Sequence, residues 1–295
     1  MFQAPDHHTL VPFDGSFDLG SRPNVVPDRP AEGKLEQRLE ELAGELDDLQ
    51  RQLYADDRWS LLTVFQGRDA AGKDGTIRAV FSRTDPAGVQ VKSFHAPSDV
   101  ELQHDFLWRT SMHLPERGHI GVFNRSYYEE VLVARVHPEL LEAQRLPDGP
   151  ASGEPVSTEF WHERLESIRD HELHLARSGV AIVKFFLHVS WEEQRDRFLA
   201  RLENPEKHWK FHESDIRDRD RWDEYTEAYQ TAIATTSRPW APWYVVPADD
   251  KDHMRLMVAE VILAALRSLD LRKPEASFDR PIEELRAMLK ADRLE

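Results

Sequence analysis

Residues 59–84 constrain most tightly what this chain can fold into. The apolar, partly β-branched run WSLLTVFQ (59–66) predicts a strand, DGTIRAVFSRT (74–84) predicts a helix, and only GRDAAGK (67–73) joins them. A strand that enters a glycine-rich turn and leaves it as a helix is the context in which Gly-x4-Gly-Lys binds phosphate. Gly67 and Gly72 allow close backbone approach. The N–H groups of Arg68, Ala70, Ala71, Gly72 and Gly75, with the helix N-terminus, then face an anion. Lys73 adds a point charge. The alternative is a strand–helix turn that holds no ligand.

The loop is unusual in its acids. Asp74 stands where such loops commonly carry Ser or Thr for a magnesium ion, and Asp69 lies in mid-loop. A carboxylate beside bound phosphate is repelled unless a cation sits between them. Asp69 is therefore a candidate Mg2+ ligand, direct or through water. Asp74 either holds a metal-bound water or simply starts the helix as a favourable acidic residue.

Strands and helices alternate along the rest of the chain. Strands are predicted at 89–95, 119–124, 180–189 and 243–248. VAIVKFFLHV (180–189) is almost continuously apolar, as a buried parallel strand should be. Helices are predicted at 98–113 (opened by Ser98, with Val100, Leu107 and Met112 inward), from about 126, and at 158–178, 190–203, 214–236 and 251–269. In 33–55, leucines spaced by three or four form one apolar stripe, for core or for dimer packing. The pattern implies an α/β fold with about five parallel strands covered on both faces. Residues 1–32 read as an arm on the surface or partly disordered, 146–157 as a loop, and 271–295 as a charged tail.

Composition excludes several classes. There is no cysteine, so no disulfide framework, cysteine-ligated zinc or thiol nucleophile. The net charge of −16 argues against general nucleic-acid binding. No apolar run reaches the roughly 18 residues of a membrane span, and MFQAPDHHTLVPF lacks a signal-peptide pattern, which points to a cytoplasmic protein. The scattered histidines show no metal-ligand spacing.

A second cluster, FNRSYYEEVLVAR (123–135), follows the 119–124 strand, whose end in phosphate-binding enzymes carries an acidic metal-binding residue. Here Asn124 takes that place and can hold a metal-bound water without adding charge. Arg125 can grip phosphate with two N–H groups. Glu129 and Glu130 follow, either as functional acids or as a solvated helix start.

These two strings, with KFFLHVSWEEQRDRF (184–198), RLENPEKHWKF (201–211), DRDRWDEYTEAYQ (218–230) and APWYVVPA (241–248), resemble the polyphosphate kinase 2 family over about residues 35–270. The resemblance implies a thymidylate-kinase-like P-loop domain over 33–270, with a helical lid at about 195–225. It implies phosphoryl transfer between inorganic polyphosphate and nucleotides, adenine nucleotides with guanine nucleotides as a further option, dependent on Mg2+ or Mn2+. It places catalytic and phosphate-binding groups at Asp69, Lys73 and Arg125, with Asp69 and Asn124 as metal positions. Many members carry Asp where this chain has Asn124. Members limited to nucleoside diphosphates often have Asn at the position of Glu129, whereas an acid there accompanies use of both AMP and ADP. With the leucine-striped helix, the resemblance suggests a homo-oligomer, a dimer or tetramer.

The lid region carries Arg195, Arg197, Arg201, Lys207, Lys210, Arg217, Arg219 and Arg221 against seven acids, so arrangement rather than count decides its role. Arg197 with Arg201, and Arg217 with Arg221, are i,i+4 pairs that would put one cationic face, together with Lys92, toward polyphosphate. The alternative is salt bridging on a solvated helix. Trp209 and Phe211 pack the lid or stack on a base, while Trp240 and Trp243 read as packing residues. Two rival functions remain: an ATP-dependent nucleotide or small-molecule kinase, and a nucleotide-binding protein without turnover.

Overall fold

The computed structural model describes residues 1–26, 33–147, 149, 156–274 and 278–291. In chain order its elements are α1 (Lys34–Asp56), β1 (Ser60–Gly67), α2 (Lys73–Val80), β2 (Val89–Ser93), α3 (Trp108–Ser111), β3 (Ile120–Asn124), α4 (Glu129–Val136) and α5 (Thr158–Arg177). There follow β4 (Val180–His188), α6 (Trp191–Leu202), α7 (Glu213–Asp220), α8 (Trp222–Thr236), β5 (Trp243–Pro247), α9 (Lys251–Ser268) and α10 (Ile282–Lys290). The five strands form one parallel sheet in the order β2-β3-β1-β4-β5.

Every residue of β1 and β3, and all but the last of β4, is buried, because helices cover both faces. One apolar layer packs α1, α2 and α9 on the sheet, and the other packs α4, α5 and α8. The leucine stripe of α1 belongs to the first layer, with Leu42, Leu46 and Leu53 buried in the core. Core packing is thus the use that the fold makes of it.

The ends of the elements follow local chemistry. Ser157, Ser190 and Asp250 accept backbone N–H bonds at the starts of α5, α6 and α9. Between 98 and 113 the expected long helix does not form. Ser98 and Glu101 do make a reciprocal capping pair. The chain gives only a 3-10 turn (Glu101–Gln103) before the Asp105 carboxylate accepts from Leu107 N at 2.9 Å and restarts it as α3. Val100 and Met112, expected inward, are 63% and 64% exposed. The expected helix at 214–236 is likewise two, with Arg221 at the joint.

Of the two readings of the N-terminal arm, its described residues take the one that lies on the body, fastened to the sheet edge. Val11 N donates to Trp243 O at 3.0 Å and Val245 N to Thr9 O at 2.9 Å, so residues 9–11 cover the edge of β5 in antiparallel sense. Phe2, Val11, Phe17 and Leu19 are buried. The described part of the C-terminal tail carries α10. Most of the loop expected at 146–157 lies outside the described residues.

One charge sits at the centre of the sheet. The Lys184 ammonium, in β4, is fully buried and donates to Glu172 (2.5 Å), Tyr128 Oη (2.9 Å) and Thr236 O (3.0 Å). Burial pushes the Lys184 ammonium down to about 8 and the Glu172 carboxyl up, while each partner pulls the other back toward its charged form. Breaking such a pair leaves one uncompensated buried charge. Lys184→Ala is expected to lower stability by about 3–5 kcal/mol, read as a fall in thermal midpoint by circular dichroism. The paired change Lys184→Met with Glu172→Leu should recover most of that loss.

Candidate active site

The strand order places the C-terminal ends of β1, β3 and β4 around one crevice, where α/β sheets bind ligands. The 67–73 loop rises from β1 into this crevice. A loop that turns its N–H groups toward an anion must turn its carbonyls away, and each buried carbonyl then needs a donor. The structure supplies them in sequence. Lys73 Nζ donates to Gly67 O at 2.5 Å and to Arg68 O at 3.1 Å. Gln194 Nε2 donates to Asp69 O at 2.8 Å. Arg197 Nη1 donates to Ala70 O and Ala71 O, both at 2.9 Å. Thr76 N and Oγ1 donate to Gly72 O at 2.9 and 3.0 Å.

Gly72 has φ 107°, which a side chain would adopt only under strain. A Cβ on Gly67 would lie 3.0 Å from Leu187 O of the neighbouring strand. Ala70 (φ 63°) and Arg125 (φ 64°) take the left-handed conformation despite carrying side chains, at a cost of roughly 1–2 kcal/mol each.

Charges of both signs meet above the loop. Arg125 Nη2 lies 2.7 Å from Asp69 Oδ1 and Arg125 Nη1 lies 3.0 Å from Glu129 Oε2. Burial pushes the Asp69 carboxyl up, but Arg125 and then Lys73 outweigh it and hold it below the usual carboxylate range. Glu129, ahead of burial, and Asp69 keep the Arg125 guanidinium charged at any working pH. Burial brings the Lys73 ammonium down to about 8, and nearby Arg125 adds to the effect.

Asn124 Nδ2 donates to Asp74 Oδ1 at 2.6 Å and to Ser93 Oγ at 3.3 Å, which leaves its Oδ1 buried without a partner. Asp74 also has Lys210 Nζ at 3.9 Å. A divalent ion fits this set: the Asp69 and Asp74 carboxylates and the orphaned Asn124 oxygen are hard oxygen donors. Among the described residues no three carboxylate or histidine side chains converge on a point. An ion here would therefore complete its shell with phosphate and water.

The expected cationic lid face is rearranged. Arg197 is not on it: at 8% exposure it lies beneath the loop, and Glu193, Ala248 O and Asp249 O take its remaining donors. Arg68 lines the cleft, with its guanidinium engaged by α8. It stacks 3.6 Å over Trp222 and donates to Trp222 O and Thr226 Oγ1, fastening α8 to the loop. Arg221, at the helix joint, is held by Glu224 and His137, so it shares no continuous helix face with Arg217. Arg195 pairs with Asp196 at the surface. Arg201, Lys207, Lys210 and Arg217 keep solvent-facing or half-buried positions, and Lys92 on β2 lies 5.9 Å from the Phe94 ring centre. Trp209 does not pack in a core but is 73% exposed, whereas Phe211 meets Phe198 edge-on.

The cleft between loop and lid is lined by Asp69, Arg125 and Glu129, but also by Gln194, Asp215, Asp218, Arg219, Trp222, Tyr225 and Tyr229, most of which the sequence reading did not single out. Trp222, Tyr225 and Tyr229 do repeat at helical spacing, a signal equally typical of an ordinary core face.

Sheet order, cradle and paired charges define a P-loop phosphotransferase. Within that class the chain belongs to the polyphosphate kinase 2 family, which its residues 31–147 and 153–274 match. It is similar to the ADP-polyphosphate phosphotransferase of Rhodopseudomonas palustris (51% identity, covering 88% of this chain and 89% of that protein). It is also similar to the AMP/ADP-polyphosphate phosphotransferase of Meiothermus ruber (42%, covering 89% and 93%). The crystal structure of polyphosphate kinase 2 from Arthrobacter aurescens superposes with a TM-score of 0.87 at 35% identity over 99% of both chains.

A bound polyanion favours the charged form of Lys73 and so raises its pKa above the free value of about 8. In solution free of divalent ions near that pH, tripolyphosphate binding should take up protons, seen as a buffer-dependent calorimetric heat. Lys73→Met should abolish the uptake; uptake unchanged in that variant would mean that another group binds the proton.

Proposed function

We propose that the chain transfers phosphoryl groups reversibly between inorganic polyphosphate and adenine nucleotides, AMP to ADP and ADP to ATP, with guanine nucleotides as further acceptors. The observation that carries this reading is the meeting of Asp69 and Arg125 beside Lys73, above a loop whose carbonyls are held by Lys73, Gln194 and Arg197. Phosphoryl transfer needs positioning and charge neutralisation more than covalent chemistry. The attacking nucleotide phosphate is already ionised near neutral pH, so no side-chain base is required. Lys73 and Arg125 offset charge on the moving group, and Asp69 orients Arg125 and the acceptor. Asp69, Asp74 and Asn124 Oδ1 would hold Mg2+, with Mn2+ as the substitute. When bound, the ion neutralises part of the phosphate charge.

Residues from about 195 to 225 act as a lid whose Arg201, Lys207, Lys210 and Arg217, together with Lys92, grip the polyphosphate chain. The relatives' names, one for ADP and one for AMP and ADP, support both acceptors. Glu129 supports AMP use by holding Arg125 in place. In this reading the chain works in the cytoplasm as a homo-oligomer, a dimer or tetramer, a state open to light scattering.

Purified protein with Mg2+, polyphosphate and AMP or ADP is expected to form ADP and ATP, followed by chromatography. Turnover with ATP as donor and none with polyphosphate would reject the reading. Asp69→Asn should lower kcat/KM by on the order of 10³-fold while calorimetry still detects nucleotide binding. Glu129→Asn should depress AMP turnover more than ADP turnover; equal losses would remove Glu129 from acceptor choice.

A further inference from the structure

One buried amide joins the lid to the loop. Gln194, on α6, is 4% exposed. Its Nε2 donates to Asp69 O at 2.8 Å, and its Oε1 accepts from Arg219 Nη1 at 2.7 Å. Arg219 belongs to α7, beyond the 3-10 turn Pro205–Lys210. It is held there by Trp191, whose carbonyl lies 3.1 Å from Arg219 Nη1 and whose ring lies 3.7 Å below the guanidinium. A guanidinium only donates and a backbone carbonyl only accepts. The amide must therefore point its oxygen at the lid and its nitrogen at the loop, because a flip sets donor against donor and acceptor against acceptor. The peptide that it holds leads directly into Ala70, whose φ of 63° needs outside support. The Asp69 carboxylate itself accepts from Arg125 Nη2 at 2.7 Å.

We propose that Gln194 is a positioning residue that couples lid seating to the Asp69 peptide. With α7 seated, Arg219 occupies the amide oxygen and the amide nitrogen fixes peptide 69–70, so that Asp69 meets Arg125. With α7 withdrawn, Arg219 leaves, the buried oxygen loses its partner, and the amide can turn away from Asp69 O. Lid seating and loop geometry become one event, and the Asp69–Arg125 pair is in place only while α7 is seated. This rests on the reading of the cleft as the phosphoryl-transfer site.

The test is a double-mutant cycle in the polyphosphate-driven assay with ADP. Gln194→Glu keeps the side-chain length and the Arg219 contact but sets an oxygen against Asp69 O, while Arg219→Met removes the lid donor. Each is expected to lower kcat by on the order of 10²-fold with little change in KM for ADP, and the double variant should be no slower than the slower single. Wild-type turnover in the same assay tests the functional reading separately. Should that fail, protection of Lys207 and Lys210 from trypsin by ADP with tripolyphosphate carries the same cycle. Multiplicative losses, a Gln194→Glu enzyme with wild-type kcat, or losses that follow only a lowered melting temperature would each overturn the coupling.

Discussion

The Arg197 guanidinium is the contact on which the rest of the site depends. An anion cradle exists only while its N–H groups converge, and they converge only while the opposite carbonyls are satisfied. Arg197 reaches Ala70 O and Ala71 O from below and Ala248 O and Asp249 O from the side, with its Nε on Glu193. One planar group thus ties the phosphate loop, the root of the lid and the β5–α9 connection into a single rigid piece. A lysine could not replace it, since an ammonium has three donors and cannot make all five of these bonds.

Above this support the charges are arranged for exchange. Each cation of the cleft has an anionic or carbonyl partner in the free protein: Arg125 holds Asp69 and Glu129, and Lys73 holds two loop carbonyls. Entering phosphate competes for donors that are already aimed, so little reorganisation remains to be done in the transition state. An acidic chain overall can therefore bind a polyanion, because local pairing decides the potential in the cleft and net charge decides only the approach.

Much of this was legible in the sequence. The strand–loop–helix string, the five strands and their alternation with helices emerge from periodicity and glycine placement, because those features act over a few residues. The loop's support did not emerge. Arg197 and Gln194 sit in WEEQRDRF, where Arg197 read as part of a cationic face toward polyphosphate and Gln194 gave no signal, and only tertiary packing turns them under the loop. The i,i+4 pairing of Arg217 with Arg221 failed because the helix breaks between them. The 98–113 stretch failed because Asp105 offered the backbone a competing cap. In residues 1–32, proline, aspartate and glycine left open an arm on the surface or partial disorder, because the bonds to β5 are made by backbone groups whose side-chain identities carry little signal.

Those bonds bear on the order in which the molecule can assemble. Thr9 and Val11 lie more than 230 residues before their partners Trp243 and Val245. A chain emerging from the ribosome must carry residues 9–11 unpaired until β5 has been synthesised. One margin of the sheet is thus covered by a segment far away in sequence, a contact of the non-local kind that slows folding.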